Sequence, residues 1–156
     1  MFMLDEKDGT ILKELQNDSR QSIATLSSKI GMKRTTVLDR IKKMKKSGVI
    51  KKFTVIPDYN KMGESVTVFF LVSFKSDVKN ANGETEITQK KLAKSIARYN
   101  HVYEVHIITG EYDLLVKARG RSLDEIGELV VDKIRVLPGV DKSFTIACFS
   151  TILEKV

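Results

Sequence analysis

Apolar residues in the first third of the chain recur every three or four positions, the spacing of amphipathic helices. Ile11, Leu12 and Leu15 share one face of a helix predicted over residues 5–17, and its first turn holds Asp5, Glu6 and Asp8. Acids at that end complement the positive pole of the helix dipole. Asn17, Asp18 and Ser19 end it. Ser22 is placed to cap a second helix with Ile23, Leu26 and Ile30 on its buried side, and Gly31 stops it as a left-handed residue would. Almost at once a third stripe begins: Val37, Ile41 and Met44 fall at i, i+4 and i+7. Two short helices joined by a tight Gly-containing turn form a helix-turn-helix, which places its second helix in the major groove of DNA. Ser47-Gly48 ends the third helix, and residues 51–56 (KKFTVI) read as a short strand, the predicted wing.

Periodicity breaks at Pro57, Asp58, Asn60 and Gly63. The predicted division is a DNA-binding domain at 1–52, a linker at 53–63 and a second domain at 64–156. In that domain residues 65–74 (SVTVFFLVSF) are β-branched and aromatic, a strong strand. Residues 75–86 are polar, with an Asn82-Gly83 turn signal. A helix over 85–99 follows, with Ile87, Leu92 and Ile96 apolar, then strands at 102–108 and 112–118 joined through Thr109-Gly110-Glu111. Ser122 and Glu125 fit a capping box for a helix carrying Leu123, Ile126, Leu129, Val130 and Ile134. Pro138-Gly139 ends it, and a strand over 141–153 closes the chain.

Strand, helix, strand, strand, helix, strand is the split βαβ or ferredoxin-like pattern, so the fold class is α+β: a winged helix-turn-helix followed by a βαββαβ sandwich. One face of such a sheet carries no helices, yet VFFLV and IACFS are apolar on both sides. That face must be covered, which predicts a homodimer.

Charge changes the reading of the third helix. Residues 33–52 hold nine Lys or Arg against Asp39 alone, a local net charge of +8. Residues 1–60 carry 13 basic and 7 acidic side chains, whereas residues 61–156 carry 14 and 13, so nearly all of the net +7 lies in the first part. A basic amphipathic helix alone is more readily a solvated surface helix than a reader of DNA; the capped helix and glycine turn before it turn the balance to the second. Lys42, Lys43, Lys45, Lys46, Lys51 and Lys52 are then expected on phosphates, which give affinity but little sequence information. Arg34, Thr35, Thr36 and Asp39, at the N-terminal end of the helix, are expected near base edges. An ion pair to Lys42 or Lys43 explains Asp39 equally well. Arg40, beside the buried stripe, ranks below the others and has a structural reading.

No apolar run approaches the roughly 18 residues that would span a bilayer, and the acidic start is unlike a signal peptide, so cytoplasmic residence is expected. Cys148 is the only cysteine, which rules out an intrachain disulfide and a thiolate zinc cluster; it reads as a small core hydrophobe. No metal-ligand spacing, phosphate-binding glycine loop or nucleophile paired with a base is present, so no metal, cofactor or catalytic residue is expected.

The run IGMKRTTVLDRIKKMKKSGVIKKFTVIPDYNKMG resembles the DNA-binding domain and linker of the Lrp/AsnC, or feast/famine, regulators. Thr36, Val37, Arg40, Ile41, Met44, Gly48, Val49 and Ile50 match the family rhythm TVxxRIxxLxxxGVI, with Met44 where Leu is usual. Lys33 stands where the family often has a capping Ser. Gly110-Glu111-Tyr112-Asp113 and Leu137-Pro138-Gly139-Val140 match family positions in the second half. The resemblance spans essentially the full length. It implies a transcriptional regulator binding double-stranded DNA at a palindromic operator, with a RAM-type second domain. It also implies homodimers that assemble into tetramers or octamers. By the same resemblance an amino-acid effector would be held at Gly110, Glu111, Tyr112 and Asp113, backbone amides taking its carboxylate and Asp113 its amino group, with Ser143 and Thr145 on the last strand as further contacts. A plain turn explains Gly110 and Asp113 equally well.

Two other classes are open. Sirohaem decarboxylases share both domains, and there the candidate groups would be His101, Tyr103 and His106. A non-DNA-binding oligomerisation or allosteric module is the third. Neither uses a stretch of charge +8.

Overall fold

The computed structural model describes residues 3–75 and 87–154. The chain forms two compact units, Met1–Val55 and Ile56–Val156.

The first unit contains α1 (Glu6–Asn17), α2 (Ile23–Ile30) and α3 (Arg34–Lys46). Asp5 caps α1 through a reciprocal box with Asp8, and Ser22 caps α2 by accepting from the Thr25 N–H. Gly31 follows α2 with φ +65°, where a side chain would be strained. Each helix contributes to one core of Ile11, Leu26, Val37, Ile41 and Met44, rimmed by Leu12, Leu15, Ile23, Ile30, Met32 and Ile50. The wing expected at 51–56 is absent: no strand occurs before Val66 among the described residues, and 51–56 is exposed and irregular. KKFTVI has strand composition, but a strand needs a hydrogen-bonding neighbour and this unit supplies none. Phe53 instead lies 5.7 Å from the Lys45 ammonium.

The second unit is the expected βαββαβ order: β1 (Val66–Phe74), α4 (Gln89–Ile96), β2 (Val102–Ile107), β3 (Leu114–Gly120), α5 (Leu123–Glu128) and β4 (Val140–Ala147). The four strands are antiparallel in the order β2-β3-β1-β4. The Asn82-Gly83 turn and the predicted start of a helix at 85 lie outside the described residues, and α4 is capped by Thr88, which accepts from the Lys91 N–H. The helix after Ser122 differs from expectation. It is α-helical only to Glu128 and then widens into a π-helical turn, Leu129–Ile134, in which Leu129, Val130 and Ile134 are all buried. The last strand stops at Ala147, and 148–154 carries no regular structure, where a strand to 153 was expected.

The helices pack on one sheet face, burying Val68, Phe70 and Val72 of β1 and Leu114, Val116 and Ala118 of β3 against Leu92, Ile96, Ile126 and the π turn. Strand pairing puts Phe69, Leu71, Leu115, Phe144 and Ile146 together on the other face. Phe144 and Ile146 are exposed there. The same face becomes ionic toward one end, where Lys117 and Arg119 of β3 lie beside Thr67 of β1 and Glu104 of β2.

Candidate nucleic-acid interface and effector loop

Helix α3 is built with a dry back and a charged front. Val37, Ile41 and Met44 are buried in the three-helix core. Arg34, Thr35, Thr36, Asp39, Lys42, Lys43, Lys45 and Lys46 are all exposed, as are Lys51 and Lys52 beyond it. Lys33 precedes the helix in extended conformation and makes no side-chain cap, so the first-turn N–H groups point outward unclaimed by a neighbouring side chain. Unclaimed N–H groups and the positive helix pole together suit a phosphate. Asp39 makes no ion pair among the described residues, so the pairing to Lys42 or Lys43 is not formed.

Arg40 departs from the set expected to face DNA. Its Nη1 donates to Asp5 Oδ2 and Asp8 Oδ1, both at 2.7 Å, which ties α3 to the start of α1. Asp8 is buried, so this tie leaves no carboxylate uncompensated in the interior. The Asp8 backbone N–H and then Arg40 hold the Asp5 carboxyl below its ordinary range. Arg40 orients α3 against α1, and its guanidinium is engaged there.

In the second unit Gly110 adopts φ +127°, open to glycine, at an exposed tip between β2 and β3. Below the tip the loop is pinned by the Ile108 N–H on the Asp113 carbonyl (2.8 Å) and the Asp113 N–H on the Val72 carbonyl (3.0 Å). The N–H groups of Gly110, Glu111 and Tyr112 donate to no partner among the described residues, so three consecutive amides are available. The Asp113 side chain is otherwise engaged than expected. Its Oδ2 accepts from the Phe74 N–H at 2.7 Å and its Oδ1 from Gln89 Nε2 at 3.1 Å, stitching the end of β1 and the start of α4 to β3. That carboxylate is a structural tie rather than an open partner for an amino group. Asp113→Ala should therefore destabilise the second unit by about 1–3 kcal/mol, the cost of orphaning partly buried donors. An unchanged chemical-denaturation midpoint would refute the tie. Ser143 is likewise occupied, accepting from Arg135 Nε at 2.7 Å. Thr145 is exposed.

The groups considered for enzyme chemistry are each paired with a different carboxylate: His101 with Glu125 (3.5 Å), His106 with Glu104 (3.1 Å) and Tyr103 with Glu64. Among the described residues no group of three or more His, Cys, Asp or Glu is placed to hold a metal ion, and no helix is long and apolar enough to cross a membrane.

A winged helix-turn-helix DNA-binding family model matches residues 4–51, and the Lrp/AsnC ligand binding domain matches residues 67–156. An uncharacterised HTH-type transcriptional regulator of Pyrococcus horikoshii is 42% identical over 154 residues, covering 99% of this chain and 98% of its own. Escherichia coli AsnC superposes with a TM-score of 0.84 at 21% identity, over 99% of this chain and 98% of its own. A Neisseria meningitidis transcriptional regulator solved with L-Met gives 0.85 at 22% identity, over 98% and 94%. The last two show the shared fold; the domain matches and the Pyrococcus relative, both spanning the two halves in order, show the lineage. This chain belongs to the Lrp/AsnC family of DNA-binding transcriptional regulators.

Proposed function

We propose that α3 reads an operator through Arg34, Thr35, Thr36 and Asp39, while Lys42, Lys43, Lys45, Lys46, Lys51 and Lys52 grip the phosphates. The observation that carries this is the split of one helix into a buried back and an exposed front that holds every one of these side chains up to Lys46 while excluding Arg40, with Lys51 and Lys52 exposed just beyond it. The functional division is 1–52 for DNA, 53–63 as linker and 64–156 for effector and assembly. Phe69, Leu71, Leu115, Phe144 and Ile146 form the apolar centre of a sheet face that a second copy would cover. A two-fold dimer presents two α3 helices, so the operator is palindromic with half-sites a helical turn or a multiple apart. Further assembly to tetramers or octamers follows the family pattern, and such a regulator works in the cytoplasm.

The effector on this reading is an amino acid whose carboxylate meets the free amides of Gly110, Glu111 and Tyr112. The Neisseria relative's complex with L-Met supports that class. Titration calorimetry against the twenty amino acids tests it, and no heat from any of them would remove the effector.

For the DNA contacts the test is Lys46→Ala, measured on a selected operator and on random duplex over a salt series. Both affinities should fall by the same factor, and the slope of log K against log salt should shrink by about one. A loss confined to the operator would show that Lys46 contacts bases and break the division of labour.

A further inference from the structure

The second unit holds a cleft of about 450 Å³ between the turn at Tyr59 and the segment after β4, with Thr67, Arg119, Cys148 and Glu154 among its walls. Arg119 is only 5% exposed. Its Nη1 donates to Thr67 Oγ1 at 3.1 Å and its Nη2 to the Glu154 carboxylate. The Tyr59 ring centre lies 4.2 Å from the guanidinium, and Tyr103 meets Tyr59 edge-on at 5.0 Å. Arg119 Nε is buried with no partner. Lys117, two residues earlier on the same face of β3, donates to the other Glu154 oxygen and to Glu104 Oε1 at 3.2 Å. One carboxylate thus bridges two cations.

A guanidinium this deeply buried needs an anion beside it. The chain supplies that anion from a weakly held segment. After the Cys148 N–H donates to the Thr67 carbonyl (2.9 Å), no regular structure fixes the backbone. Phe149, Ile152 and Leu153 are 109, 93 and 72% exposed, so apolar packing does not hold it down. The Glu154 carboxylate is its principal anchor.

We propose that this cleft is a binding site for a small carboxylate anion, which enters by displacing Glu154 from Arg119 and Lys117. The incoming carboxylate inherits the same two cations, Tyr59 walls the site as a flat aromatic face, and Arg119 Nε offers a donor that Glu154 leaves unused. The cleft is separate from the 110–113 loop, and the proposal does not rest on an effector there.

The test is titration calorimetry of the full chain with glutarate, whose ends reproduce the Glu154 carboxylate. A tethered competitor acts at an effective concentration in the roughly millimolar range. Removing its charge in Glu154→Gln should therefore tighten glutarate binding tenfold or more, while uncharged glutaramide should bind neither chain. Adding Lys117→Gln to Glu154→Gln should lose tenfold or more of the gained affinity, with a melting curve checking that the double variant is folded. Glutarate binding no tighter to Glu154→Gln than to the unaltered chain would overturn the proposal, and so would equal binding of glutaramide. Binding at the 110–113 loop instead would appear as one affinity in all three chains, which is the same refutation.

Discussion

Leu26→Ala is expected to unfold the N-terminal unit while the C-terminal unit stays folded. Among the described residues five side chains make up the buried core of the first unit, and Leu26, fully buried, is the only one of them that α2 contributes. Truncating a buried Leu to Ala costs about 2–5 kcal/mol, the larger values arising where the surroundings cannot collapse into the space. Around Leu26 the three helices are held by short connections and by the Arg40 tie to Asp5 and Asp8, which resist collapse. A core in a unit of this size seldom provides more than about 3–5 kcal/mol, so the substitution removes most of what there is. The second unit has its own twelve-residue buried core, of which Leu26 is no part. Circular dichroism should show the loss of one melting transition and retention of the other, with duplex binding abolished. A melt in which both units fail together would contradict the independence of the two cores.

The same contrast between local and distant signals explains what could be read from the chain in advance. The helix-turn-helix was legible because every element carries its own mark: the acidic first turn at Asp5, Glu6 and Asp8, the Ser22 cap, the left-handed Gly31, and the Val37, Ile41, Met44 stripe. The βαββαβ order was legible because β-branched runs alternate with amphipathic helices, the second of them marked by its Ser122 cap. The misreadings, and the readings left open, come where a residue's role depends on a partner far away in sequence. KKFTVI has the residues of a strand but no neighbour to pair with. Asp113 sits in a turn-like motif, yet its carboxylate is claimed by Phe74 and Gln89, 39 and 24 positions away. Arg40 is claimed by Asp5 and Asp8, 35 and 32 positions away. The Arg119 cleft passed unremarked for the same reason, since Tyr59, Thr67 and Glu154 are scattered over the length of the unit. One local signal did point to it: Lys117 and Arg119 alternate with buried Val116 and Ala118 inside an otherwise apolar strand. Two cations on one strand face demand a partner, and that demand could have prompted a search for it.

The double substitution Arg34→Ala with Thr36→Ala should reduce discrimination between operator and random duplex far more than it reduces binding itself. Both residues lie in the first turn of α3, are exposed, and sit away from the Val37, Ile41, Met44 stripe, so their loss leaves the core intact. A bidentate contact from Arg to a guanine is worth about 1–3 kcal/mol of discrimination against a wrong base. The expected fall in the ratio of specific to random affinity is thus on the order of 10- to 100-fold in each half-site. Random-duplex affinity, carried by the six lysines, should fall only by the share of one cation. The uncapped start of the helix sharpens the expectation. Lys33 provides no acceptor for the first N–H groups, so a phosphate placed there would fix the register in which Arg34 and Thr36 meet the groove. Equal proportional losses on operator and random duplex would mean that Arg34 acts as one more phosphate contact. The reading of bases would then have to pass to Thr35 and Asp39, the remaining exposed polar groups of that turn and the next.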